Sequence, residues 1–74
     1  MKFYLVLYTA LQHPAIGTIP EIFETKMACE QRAMSFEGFR HLCLTGDDET
    51  SSEFVKRCKI EARRITCPGS TVEF

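Results

Sequence analysis

The chain lacks a long apolar run, a marked excess of either charge and any closely spaced pair of cysteines. Each absence excludes a class of function. The longest apolar stretch, residues 3 to 11, is about half the length needed to cross a bilayer, so no membrane span is expected. Nine Lys and Arg against ten Asp and Glu leave a formal charge of -1 and a sequence pI near 6.1. No global field therefore attracts nucleic acid, and electrostatic recognition has to be local. The four cysteines stand at positions 29, 43, 58 and 67, outside the short spacings of zinc modules and redox dithiols. The sequence has no glycine-rich phosphate loop, no serine-centred elbow and no paired-carboxylate pattern. The expectation is a non-enzymatic protein with no cofactor and no metal. No internal repeat or low-complexity segment is present.

What remains is one α+β domain over residues 1–74, short enough to bury only about 60% of the surface its unfolded chain exposes. Domains of this size usually need extra fastening. Two disulfides could supply it, in any of three pairings, or all four cysteines could be buried thiols in a reducing cytosol.

Residues 3 to 11 are aromatic and β-branched on both alternating faces, Phe3, Leu5 and Leu7 on one and Tyr4, Val6 and Tyr8 on the other. This predicts a central strand covered on both sides. Lys2 and the apolar run superficially resemble a signal peptide, but Tyr4 and Tyr8 interrupt the run and no small-x-small cleavage site follows. The cytoplasm is the expected location, with the periplasm as the alternative kept open by the cysteines. Gln12, His13 and Pro14 break the strand, and residues 15 to 24 read as its hairpin partner. Pro20 cannot donate to a ladder, which puts that partner at an edge or ends its pairing early.

Thr25 predicts the N-cap of a helix from Lys26 to about Phe36, with Gly38 suited to a left-handed ending. Cys29, Ala33 and Phe36 form one apolar stripe of this helix, and Met27 and Met34 form another. Either both stripes are core, or the methionines are presented to a partner, a role their adaptable side chains suit. Residues 39 to 44 read as a third strand. Thr50 through Glu53 fit a capping box, opening a helix expected to run to about Ile65 with Phe54, Cys58, Ala62 and Ile65 on one face. The expected architecture is an N-terminal β-hairpin, a helix, a short third strand and a C-terminal amphipathic helix on a small antiparallel sheet. A tail strand through Val72 and Phe74 is an optional addition. If bridges form, this map pairs helix with helix, Cys29 with Cys58, and strand with tail, Cys43 with Cys67.

Two charged patches stand out. Asp47, Asp48 and Glu49, with Glu53, form an acidic loop able to enter a basic groove, or simply a solvated one. The opposite side of the second helix carries Lys56, Arg57, Lys59, Arg63 and Arg64. It is read as a solvated face or a phosphate or acidic-protein contact, with Glu53 placed to pair with Arg57. Aromatic residues are not interleaved with these charges, so nucleic acid is an unlikely partner. The two patches also allow a homodimer, acid of one copy meeting base of another. His41, Cys43, Cys58 and Cys67 contain zinc-ligand chemistry without zinc-ligand spacing. A cysteine nucleophile assisted by His13 or His41 would lack the other parts of an active site.

At Phe23-Glu24-Thr25-Lys26-Met27-Ala28-Cys29, after its first strand, the chain resembles small accessory proteins of bacteriophages and prophages. Many of these pair such a strand with an F-x-[ST]-x-x-x-C helix start and a late cysteine, here Cys67. The resemblance covers residues 1 to 35, and the longer second half with two further cysteines departs from it. It implies a stoichiometric inhibitor that binds and blocks a host protein or complex, for example a CRISPR effector (an anti-CRISPR role) or another defence component. The expected contact residues are Asp47, Asp48, Glu49, Glu53, Lys56, Lys59, Arg63, Met27 and Met34. A disulfide-stabilised envelope protein is the alternative, and a nucleic-acid module using residues 53 to 65 is third.

Overall fold

The computed structural model describes residues 2–9, 15–61 and 63–73. Strand β1 (Lys2–Thr9) lies between β2 (Ala15–Phe23) and β3 (Arg40–Gly46) in an antiparallel sheet of order β2-β1-β3. Its alternation has the expected consequence. Leu5 and Leu7 pack on one side with Cys29 and Ala33 of helix α1 (Lys26–Ala33), while Tyr4, Val6 and Tyr8 pack on the other. Tyr4, Leu5 and Val6 are fully buried. The expected turn at Gln12, His13 and Pro14 lies outside the described residues, as do Ala62 and Phe74.

Proline has the predicted effect on β2, an edge strand. Tyr4 pairs with Ile22 but Val6 pairs with Thr18, so β2 carries two more residues than β1 across this interval, and Pro20 is in the excess. The ladder interruption is filled from a side chain, because Thr18 Oγ1 donates to the Leu5 carbonyl at 2.8 Å.

Helix α1 begins as predicted, with the Ala28 amide donating to Thr25 Oγ1 at 3.1 Å. It ends at Ala33, three residues before Phe36, and Gly38 has a positive φ in the connection that follows. Helix α2 (Ser51–Lys56) is likewise capped by Thr50, whose Oγ1 accepts from the Glu53 amide.

The expected long C-terminal helix does not form. After six residues α2 gives way to a second antiparallel sheet of β4 (Lys59–Glu61), β5 (Arg64–Cys67) and β6 (Ser70–Glu73), in order β4-β5-β6. The apolar residues of this segment fit either period, and period two prevails. Ile65 and Cys67 turn inward while Lys59, Glu61 and Arg64 stay exposed. Pro68-Gly69 joins β5 to β6, and a proline followed by a glycine at φ +84 has the composition of a type II turn.

The disulfides join Cys29 to Cys43 and Cys58 to Cys67, correcting the expected Cys29–Cys58 and Cys43–Cys67 pairs. Two findings explain the change. Cys29 and Cys43 pack against the Leu5, Leu7 face of the sheet, whereas Cys58 and Cys67 pack against the Tyr8 face. With residue 58 leading into β4, Cys58 also falls opposite Cys67, next to the Lys59 and Thr66 pair. The first bridge fastens α1 to β3, and the second closes the open end of the β4–β5 hairpin.

Candidate functional site

The acidic segment is built into the fold through one of its residues. Tyr4 stacks on Phe54, ring centroids 4.6 Å apart and planes 11° from parallel, and the Tyr4 hydroxyl donates to the Asp48 backbone carbonyl. The Asp48 carboxylate, only 18% exposed, pairs with Arg57, whose guanidinium also lies over the Phe54 ring at 5.7 Å. Arg57 therefore pairs with Asp48 rather than with the expected Glu53. Asp47, Glu49 and Glu53 are exposed. Burial first, and then the Asp48 and Asp47 carboxylates, push the Tyr4 phenol above its ordinary pKa of 10.0, against opposing effects of Arg57 and the bond to Asp48.

The expected basic helix face is dissolved by the second sheet. Lys56 ends α2, Lys59 lies in β4 and Arg63 lies in the turn before β5, all exposed. Arg64 pairs with Glu61 across the hairpin at 3.1 Å and stands opposite Glu73 on its other side. Basic and acidic side chains thus alternate on this outer surface instead of segregating.

The methionines take the other of the two expected positions. Met27 is 70% and Met34 80% exposed, so the second stripe of α1 is outside the core. Being seven residues apart, they project to nearly the same side of the helix. The chain leaving α1 then carries Phe36 and a 51% exposed Phe39, which wall an apolar cavity of about 440 Å³ whose lining includes Leu7, Ile16, Gly17 and Ile19. Sequence reasoning placed Phe39 in a strand and assigned Gly17 no role. Gly17 stands opposite Leu7, and a Cβ there would meet nothing within 4 Å. Its missing side chain leaves the cavity open. A glycine inside a strand was the available signal.

Helix α1, which carries Met27 and ends at Met34, is tied to both outer strands of the sheet. Besides the Cys29–Cys43 bridge, Arg32 pairs with Glu21 of β2 at 2.9 Å and lies 4.8 Å from the centre of the Phe36 ring. Ser51, buried at the start of α2, donates to the Glu21 carbonyl at 3.2 Å from the other side of β2.

Thiolate chemistry has no donors in this state, because all four cysteines are bridged. The sulfur ligands of the zinc set considered from sequence, Cys43, Cys58 and Cys67, are spent in those bonds, and His41 is exposed on β3. Among the described residues no group of three or more His, Cys, Asp or Glu is placed to hold a metal, and no helix is long and apolar enough to cross a membrane. Comparison with known proteins finds no matching family model, no matching curated protein and no matching solved structure.

Proposed function

We propose that this protein is a non-enzymatic binding module that blocks a partner protein by occupying its surface through the outer face of α1. The observation that carries the reading is the exposure of Met27 and Met34 on a helix whose opposite face is tied to the sheet by Cys29–Cys43. Flexible thioethers adapt to a partner surface, and a fixed helix reduces the ordering cost of association. Phe39 and the adjoining apolar cavity extend the surface available to an anchoring side chain.

The resemblance at Phe23 to Cys29 supports the specific form of a phage-encoded inhibitor of a host protein. Two disulfides favour an oxidising compartment. That weighs toward a target met in the periplasm or outside the cell, the alternative location, over a cytoplasmic target such as a CRISPR effector. The same bridges favour a second reading, a stapled envelope component with a structural role.

The test compares wild type with a Met27→Glu, Met34→Glu variant, each tagged and with bridges intact, in capture from bacterial lysate and envelope extract. One partner held near stoichiometrically by wild type and lost by the variant, at unchanged melting temperature, supports the binding module. Capture of no partner by wild type, or retention of its partner by the variant, overturns the α1 reading and favours the structural one.

A further inference from the structure

The two sheets end in four edges, and they are not equally protected. Exposed backbone donors and acceptors on an edge recruit another strand unless something blocks them. On β2 the block is Pro20 with its irregular register. Strand β4 has three residues, with Lys59 and Glu61 flanking Ile60, and β6 has four, ending in Glu73. Strand β3 is less protected: it runs seven residues in unbroken register with β1, contains no proline, and its one formally charged side chain, Arg40, stands at its first position. Among the described residues its only strand neighbour is β1.

We infer that β3 is a self-pairing edge, joining two copies of this chain antiparallel about a two-fold axis at Cys43. That centre alone uses all seven residues, and it sets Arg40 opposite Gly46, His41 opposite Thr45, and Leu42 opposite Leu44. No two like charges face each other in this register. Leu42 and Leu44 point to the Tyr4, Val6 face and are only partly buried in one copy; pairing sets each beside its counterpart and covers what remains. His41 and Thr45 are exposed on the other face. The product is a continuous sheet of order β2-β1-β3-β3-β1-β2 with a closed, isologous interface. This inference does not depend on the α1 reading, which concerns a different surface.

Sedimentation equilibrium across a concentration series gives the test. Wild type is expected to dimerise reversibly. His41→Lys with Thr45→Lys sets lysine against lysine twice and should weaken the dimer about tenfold. His41→Glu with Thr45→Lys sets glutamate against lysine and should restore it. Hydrogen exchange on wild type reads the same edge without a substitution, since β3 amides should gain protection as concentration rises. A wild type that stays monomeric throughout, or a dimer with equal affinity in both variants and no added β3 protection, overturns the proposal.

Discussion

Tyr4 and Phe54 lie face to face at 4.6 Å, and this stack joins the centre of the main sheet to the short helix α2. The contact sets the identity of a third residue. At Gly46 a Cβ would come within 3.1 Å of both rings, so the buried stack has to give by a few tenths of an ångström to admit it. Gly46→Ala should therefore destabilise by about 1–3 kcal/mol, the usual cost of overpacking. Phe54→Ala, which empties the same site, should cost about 3–5 kcal/mol. Chemical denaturation of the two variants checks both, and a neutral Gly46→Ala would mean the rings are more loosely held than the stack indicates.

The acidic residues should separate by role. Asp48→Lys replaces a paired, mostly covered carboxylate beside Arg57 with a like charge, and a loss of about 1 kcal/mol is expected. Reversing Asp47 and Glu49, both exposed, should leave the melting temperature nearly unchanged. Thermal melts of the three single variants in low salt would show it.

Non-reducing peptide mapping should recover Cys29–Cys43 and Cys58–Cys67, with no thiol titratable in the native protein. The bridges close sequence separations of 14 and 9 residues. Loop entropy then assigns each roughly 2.5–3 kcal/mol. Cys29→Ser with Cys43→Ser should loosen α1, and Cys58→Ser with Cys67→Ser should loosen β4 and β5. Amide exchange should rise in the released element before the rest.

Tyr4 should make stability fall in alkali and leave it untouched in acid. Its phenol is raised in the folded state, so the native protein holds this proton more tightly than the unfolded chain. The associated stability is complete below the unfolded value of about 10 and is lost as pH rises through the raised native value. Removing the hydroxyl with Tyr4→Phe also removes the bond to Asp48. Wild type should therefore melt above Tyr4→Phe at pH 7, with the gap narrowing above about pH 10. A gap independent of pH would contradict the burial assigned to this phenol.

Residues close in sequence determined most of what was legible in advance. The two-faced alternation of Phe3 to Tyr8, the lost donor at Pro20, and the caps at Thr25 and Thr50 each act within a few residues. The structure carries all of them. Phe54, Cys58, Ala62 and Ile65 suit a helix by spacing, and the same segment, with Ile60, Ile65 and Cys67, suits a hairpin. Local periodicity could not separate the two. The tertiary structure decided for the hairpin, which packs Ile65 and Cys67 against Tyr8, Leu42 and Leu44 and brings Cys58 within 4.1 Å of Cys67, Cα to Cα. That choice dispersed the basic face and changed the disulfide pairing. The roles of Met27 and Met34 also lay beyond the sequence, because spacing puts them on one side of α1 without saying what covers that side. Burial is a property of the whole packed chain, and here the sheet lies against the Cys29, Ala33 side and leaves the methionines outside.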